Sequence, residues 1–374
     1  MPAPPRTVIP GLLCVVCVAA ASLWPAGHAA AQRPQGGGPA ARLVRAPRIM
    51  MPGAVDSNVP MAWDLVDGRW QLFAVTSFGG IPARHAGAAL EGMAELGPIA
   101  IEPHPGDGVW IESVVADERG AWYGYYHHER PAVACGRPDR FLPRIGALRS
   151  TDRGATWAHL GFILDAPPGT AACGSTNHFV IGGVGDVSAV LDRTGTNLFL
   201  YISQYSRTPA EQGIAVARLA WADRDRPVGR VTVWQSGAWL PARAAPAADG
   251  ASLDWTYPTG TPLVAPVRPW HDGHVAADVF WGPSIHWNHY LERYVMLMNR
   301  AANERFDNEG IYVSFAARLD DPRGWTAPRK IFNGGNWYPQ VAGLEPATGT
   351  DKVAGQRARF LLTGRSDYLI EFQK

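Results

Sequence analysis

The sequence predicts an all-β fold, a five-bladed β-propeller. Three observations carry this. Short runs of β-branched and aromatic residues alternate with turn clusters, and long amphipathic helical patterns are scarce. One unit recurs five times: an apolar strand, a tight polar turn, then a second strand ending in aromatic or small polar residues. One further turn, Ser150-Thr151-Asp152-Arg153-Gly154-Ala155-Thr156-Trp157, has the pattern S-x-D-x-G-x-T-W, in which Ser and Asp side chains can bond their own backbone and Trp can pack beneath.

Residues 1–31 read as a secretory signal peptide. Arg6 precedes an apolar run from Ile9 to Trp24, broken by Pro10 and Gly11, and Ala29-Ala30-Ala31 supplies an A-x-A cleavage site before Gln32. The apolar core is too short for a transmembrane anchor, and Pro25 follows it at once. No integral membrane segment is expected after cleavage, and the expected destination is the periplasm or the extracellular space. Residues 32–47, rich in Gly, Pro, Ala and Arg, read as a disordered leader. Residues 48–374 form the propeller domain, a length that a propeller holds as one unit.

The five units follow in order. The first is Asn58–Trp63, turn Asp67-Gly68, then Trp70–Val75. The second is Glu112–Ala116, turn Arg119-Gly120, then Trp122–Tyr126. The third is Asp186–Leu191, turn Thr194-Gly195, then Leu198–Ile202. The fourth is Pro283–Trp287, turn Asn288-His289, then Tyr294–Met298. The fifth is Pro339–Leu344, a longer loop, then Arg359–Thr363. Third strands follow most hairpins, at 145–149, 213–217, 310–314 and 368–372, and the first three of these lead to closing segments with Trp157, Trp234 and Trp325. Uneven spacing between units places insertions between blades. The chain's two ends are expected to complete one blade, which removes exposed sheet edges. A six-bladed, sialidase-like propeller is the nearest rival, but five innermost strands are evident.

Lys and Arg number 34 against 33 Asp and Glu, and no basic block appears, which argues against a nucleic-acid partner. After signal removal two cysteines remain, Cys135 and Cys173, both in Gly/Pro-rich loops. Export to an oxidising compartment predicts a disulfide between them. Nothing in the sequence indicates an oligomeric state or a cofactor.

Residues at the entry ends of the inner strands converge on one shallow cavity on the axis. They are Asp56 and Asn58 in blade one, Glu112 in blade two, Asp186 in blade three, Asp278 and Trp281 before blade four, and Trp337 and Tyr338 before blade five. Carboxylates around a channel are costly unless paired, hydrated or used. Aromatic faces beside them suit the apolar faces of sugar rings. Polar residues at strand ends also cap loops, so the ring of residues has a structural reading beside the functional one. His127-His128-Glu129 looks metal-like, but neighbours on a strand point to opposite faces, and no metal site is expected. His127 is the one expected to reach the cavity. Ser175 and Ser284 lack a nucleophile elbow, and Gly182-Gly183-Val184-Gly185 precedes a strand rather than a phosphate-binding helix.

The S-x-D-x-G-x-T-W turn resembles the Asp-box that decorates propeller blades, sialidases among them, in a structural role. The whole chain over roughly residues 50–374 resembles the five-bladed propeller glycoside hydrolases of families 43, 62 and 117. By that resemblance Asp56, before Val59-Pro60, is the general base that activates water. Asp186, before Val187-Ser188, orients the sugar and keeps the acid protonated. The third position departs from the pattern. Family 43 commonly has Glu-Gly-Pro entering blade four, and this chain has Trp281-Gly282-Pro283. Tryptophan cannot donate the proton, so Asp278, His271, His274 and Glu112 are the candidate substitutes; a family 117-like site with a histidine acid is one form of this. The resemblance implies hydrolysis of a glycosidic bond, with inversion. The alternatives are a glycan-binding propeller without catalysis and a sialidase-like exo-glycosidase, for which Arg84, Arg293, Arg365 and Tyr338 are the candidates. The insertion from Trp234 to Trp281 is expected to overhang the site.

Overall fold

In blade one, Asp67 and Gly68 adopt φ of 50° and 77°, the paired left-handed conformation of a type I′ hairpin. Blades two and three close instead through aspartates. Asp117 accepts hydrogen bonds from the backbone of Arg119 and Ala121 at 3.0 and 2.9 Å, and Asp192 accepts from Thr196 at 2.9 Å. In blade four Asn288 accepts from the Leu291 amide at 2.9 Å. Each polar side chain thus satisfies the backbone of a tight turn that would otherwise face water unpaired.

The computed structural model describes residues 38–165, 169–246, 253–256, 259–266 and 278–374. The inner strands are Met61–Val66, Val109–Ala116, Val184–Leu191, Phe280–Asn288 and Gln340–Gly343, one in each of five antiparallel-based sheets. Their partners are Arg69–Phe78, Trp122–Ala132, Asn197–Gln204, Arg293–Ala301 and Arg357–Leu362. The fold is an all-β five-bladed propeller, and among the described residues no helix is longer than a three-residue 3-10 turn. No helix among them is long and apolar enough to cross a membrane.

Five apolar clusters occupy the five interfaces between consecutive blades. Phe73, Val75 and Trp122 meet between blades one and two, and Tyr123, Val187 and Leu200 between two and three. Phe199, Tyr201 and Met296 meet between three and four, and Leu297, Phe315 and Phe360 between four and five. Val59, Leu72 and Leu361 close the ring between five and one. In blades two, three and four the inner and middle strands are buried on both faces over most of their length, which explains their near-continuous apolar runs.

The last blade is built from both ends of the chain. Its order runs from Gln340–Gly343 through Arg357–Leu362 and Arg365–Gln373 to Ala40–Met50 on the outside. The register places Ala41 opposite Phe372 and Leu43 opposite Ile370. This corrects the leader boundary, because residues 40–47 form a strand. Leu43 packs inward while Arg42 binds Glu371 at 2.8 Å, an apolar and charged alternation that the surrounding Gly and Pro obscure. Pro47 is accommodated at a register shift on this edge strand. Residues 1–37, with the expected signal peptide, lie outside the described residues.

Two further differences are local. Blade one carries a third and a fourth strand, Ile81–Gly87 and Ala94–Pro98, that the repeat did not reveal. Trp325 precedes the fourth strand of blade four, Arg329–Asn333, and meets Tyr201 of blade three edge-on at 5.6 Å. The expected disulfide forms between Cys135 and Cys173, with Cα atoms 5.2 Å apart.

Candidate active site

Three inner strands are bulged where they pass the axis. The register shifts between Ile111 and Ser113, between Gly185 and Ser188, and between Trp281 and Ser284. A bulge re-aims a side chain that regular pleating would bury in the sheet. Glu112, Asp186 and Gly282 lie within these bulges. Asp186 takes φ of 42° and Tyr338 φ of 56°, left-handed conformations that cost energy in non-glycine residues and gather at functional sites.

A cavity of about 120 Å³ opens on this end of the axis. Asp56, Asp186, Glu129 and His127 supply its polar wall, and Trp110, Phe179, Tyr205, Trp281, Phe306, Trp337 and Tyr338 its aromatic wall. Asp56 is fixed through its backbone, which donates to Ser77 at 2.8 Å. The Asp186 carboxylate accepts a hydrogen bond from the Tyr205 hydroxyl. His127 and Glu129 stand two apart on the same strand and therefore on the same face. His128 between them faces away, where it accepts from Arg144 at 3.2 Å.

Glu112 sits behind His127, fully buried. It accepts from His127 Nδ1 at 3.1 Å and from the Val187 amide at 2.6 Å. The His127 ring stacks on Trp110, with centroids 4.9 Å apart and planes 10° from parallel. Glu112, His127 and Asp186 each bring one ligand atom within 4.8 Å of the others, a spacing that admits a metal ion. His127 Nδ1 is engaged by Glu112 in this arrangement.

The charges around the cavity are unevenly protonated. Burial pushes Asp56 up to about 6, against the attraction of His127 and helped by Asp186. Burial pushes Glu129 up to about 7, with His127 opposing and Asp186, Asp56 and Glu112 adding repulsion. Burial likewise raises Glu112. For His127 burial works against the charge, but the Glu112 carboxylate beside it prevails and holds the imidazole raised. Glu112 and His127 therefore titrate as a pair.

Of the residues singled out from sequence, Asp56, Asp186, His127, Trp281, Trp337 and Tyr338 line this cavity. Three do not. Glu112 supports His127 from behind. Asn58 is buried, and its amide donates to the Pro283 carbonyl at 3.3 Å, linking blade one to blade four. Asp278 is clamped by Arg300 through both oxygens, at 2.5 and 2.7 Å, so its carboxylate is spent on an ion pair. His271 and His274 lie outside the described residues, as do residues 247–252, 257–258 and 267–277 of the insertion before Trp281. The arginines named for a sialidase site do not converge. Arg84 bonds the backbone of Asp152 and Arg153, Arg293 its neighbour's carbonyl, and Arg365 Asp367.

Sequence reasoning missed Glu129, Tyr205, Trp110, Phe179 and Phe306. Glu129 carried a signal, since strand alternation puts it beside His127. Phe179 and Phe306 arrive on loops. Asn177 accepts from Phe179 and Val180 amides at 2.9 and 3.0 Å, shaping one loop, and Cys173 ties that loop to blade two. The Trp337 indole donates to the Phe306 carbonyl at 2.8 Å, fixing the other. The Ser150–Trp157 turn lies away from the cavity. Asp152 accepts from the Thr156 amide at 2.9 Å, and Trp157 is buried and donates to Gly154 at 3.0 Å.

No protein-family model and no curated protein matches the chain. Among solved structures it is similar to a thermostable family-43 glycoside hydrolase, at 12% identity over 87% of this chain and 91% of that one, with a TM-score of 0.45. It is similar to the endo-arabinase of Bacteroides thetaiotaomicron, at 11% identity over 87% and 97%, with a TM-score of 0.47. It is also similar to an exo-β-1,3-galactanase of Phanerochaete chrysosporium in complex with β-1,3-galactotriose, at 11% identity over 87% and 63%, with a TM-score of 0.45.

Proposed function

We propose that the protein is an exported, inverting glycoside hydrolase whose base is Asp56 and whose acid is Glu129. The observation that carries the reading is the cavity itself: three carboxylates facing an aromatic wall, two of them held near neutrality by burial. Two carboxylic groups with different protonation are what glycosidic cleavage requires. At pH 7 Asp56 is mainly ionised and takes a proton from water. Glu129 is about half protonated and gives its proton to the departing oxygen. The water attacks the anomeric carbon as the C–O bond breaks, and inversion results if it enters opposite the leaving group. That geometry needs the two carboxyl groups roughly 6.5–9.5 Å apart.

The other wall residues act on binding and charge. Asp186, oriented by the Tyr205 hydroxyl, accepts from a sugar hydroxyl and raises its neighbours' affinity for protons. His127, held by Glu112, supplies the one positive charge among the described lining residues, which keeps three carboxylates tolerable together. Trp281 takes the place at the entry of blade four where a carboxylate was expected, so the acid moves to blade two. The same reading takes the Ser150–Trp157 turn as an Asp-box with a structural role, and the expected signal peptide as the route of export.

The test is sugar release from a broad glycan and aryl-glycoside panel, with the first product anomer followed by NMR. Wild type is expected to release the inverted anomer. Asp56→Asn is expected to lose activity on every substrate, by about 10²- to 10⁴-fold. Glu129→Gln is expected to lose it on natural glycans and recover on aryl glycosides whose leaving group needs no proton. Glycan binding without release by any protein in the set would refute hydrolysis and leave a lectin.

A further inference from the structure

We infer that the cavity selects a sugar ring carrying a protonated amine over its neutral and anionic counterparts. The inference rests on the reading of the cavity as a sugar site, and names the class of sugar it takes. Three features argue for it together. The first is charge. Asp56, Asp186 and Glu129 all face the cavity, with Glu112 behind, against the single cation His127. None of the described residues lining the cavity is an arginine or a lysine. An anionic sugar would bring a fourth carboxylate against three, with no guanidinium fork to receive it. An ammonium group would instead stand among carboxylates that lack enough partners.

The second feature is the shape of the aromatic wall. Trp281 and Trp337 cross at 78°, Trp281 and Tyr338 at 79°, and Trp337 and Tyr338 at 85°. Three mutually perpendicular rings form the corner of a box. Phe306 adds a further ring, edge-on to Trp281 at 4.8 Å. Such corners attract cations through the negative faces of the rings. The third feature is the Trp281 indole N–H. It is buried, with Trp281 2% exposed, and has no hydrogen-bond partner among the described residues. A hydroxyl oxygen on the ligand would satisfy that donor, which a simple alkylammonium could not. The ligand is therefore an amine that also carries hydroxyl groups, as an amino sugar does.

The experiment is calorimetric titration of the full mature chain with matched sets of sugars in the gluco, galacto and manno configurations. Each set holds the 2-amino sugar, its N-acetyl form, the neutral parent and the uronic acid. In at least one configuration the amine is expected to bind about tenfold or more tightly than the neutral parent, with no binding of the uronate. The comparison is made on the unaltered protein, so no variant need fold for it to decide. In the double variant Asp56→Asn, Glu129→Gln, the ratio of amine to parent affinity is expected to fall to within about twofold. Equal or tighter binding of the neutral parent, binding of the uronate, or no binding by any sugar would each overturn the inference. Hydrolysis is scored separately on glycosides of the same sugars. Cleavage of neutral glycosides without amine preference defeats this inference alone, and amine preference without cleavage defeats the hydrolase reading alone.

Discussion

On the proposed assignment the two raised carboxylates set a narrow pH window for activity, and Glu129→Gln tests it. With Asp56 near 6 and Glu129 near 7, the productive form has Asp56 ionised and Glu129 protonated. Its fraction is about 0.6 at pH 6.5 and about 0.09 at pH 5 and at pH 8, a fall of roughly sixfold on each side. The kcat/KM profile of wild type is therefore expected to be a bell centred near pH 6.5. Removing Glu129 should erase the alkaline limb on an aryl glycoside and leave the acid limb of Asp56 in place. The limbs belong to a coupled pair, so the variants, and not the wild-type curve, assign them. A second readout checks that the variant folds. Glu129 has its folded value raised, so its stabilising contribution is complete below its unfolded value of 4.5 and is lost as pH rises through about 7. The ionised group at pH 8 then costs up to about 3 kcal/mol, and Glu129→Gln should raise the Tm at pH 8 but not at pH 4. A variant that keeps both limbs, or a wild-type profile with a single limb, would refute the assignment of Glu129.

Three further outcomes follow from residues placed elsewhere. Asp278→Asn is expected to leave kcat within about twofold and to cost about 1–3 kcal/mol of stability, measured by denaturant unfolding, because it breaks the Arg300 clamp and not the chemistry. Cys135→Ser opens a 38-residue separation and is expected to cost up to about 4 kcal/mol; KM should rise more than kcat falls, since the loop carrying Phe179 loses its tie. His286 is fully buried, neither ring nitrogen has a hydrogen-bond partner among the described residues, and burial, with Lys352 adding repulsion, pushes it down to about 3. Its folded value lies below the unfolded 6.5, so it costs nothing above pH 6.5 and destabilises increasingly as pH falls towards 3, by up to about 4–5 kcal/mol. His286→Leu should therefore shift the acid-unfolding midpoint to lower pH, and an unchanged midpoint would refute the burial argument.

The inner strands of blades two to four were legible because burial on both faces writes continuous apolar runs, and the hairpins because Asp and Gly mark their turns. Cys135 and Cys173 were legible by elimination and compartment. The leader boundary was misread because a single edge strand, half exposed and interrupted by Pro47, has too few apolar residues to stand out. The site was half legible. Asp56 and Asp186 lie at strand entries, where chain order alone predicts convergence. Asp278 lies just as close to a strand entry in sequence, but its partner Arg300 comes 22 residues later, brought beside it by the pairing of Phe280 with Arg300. No local pattern announces that partner.

The position of the proposed acid follows from the same distinction between order along the chain and order around the axis. At the entry of blade four Trp281 packs against Trp337 and Phe306 and is almost fully buried. A carboxylate there would face aromatic carbon with no partner, at the cost of an unpaired buried charge. Glu129 reaches the cavity from the exit of a second strand, with its side chain 22% exposed and His127 Nε2 4.0 Å away. Partial hydration and one nearby imidazolium allow it to ionise and reprotonate within a working pH range, which a sealed position would forbid. The exit of the second strand of blade two thus supplies what the entry of blade four lacks. Because Glu112 holds His127, exchanging Glu112 for Gln should remove much of the positive charge that steadies Glu129, an effect larger than the Glu112 repulsion lost with it, and displace the alkaline limb upwards. An alkaline limb that stays in place in Glu112→Gln would show that Glu129 titrates independently of this pair, and the arrangement proposed for the cavity would fail at its centre.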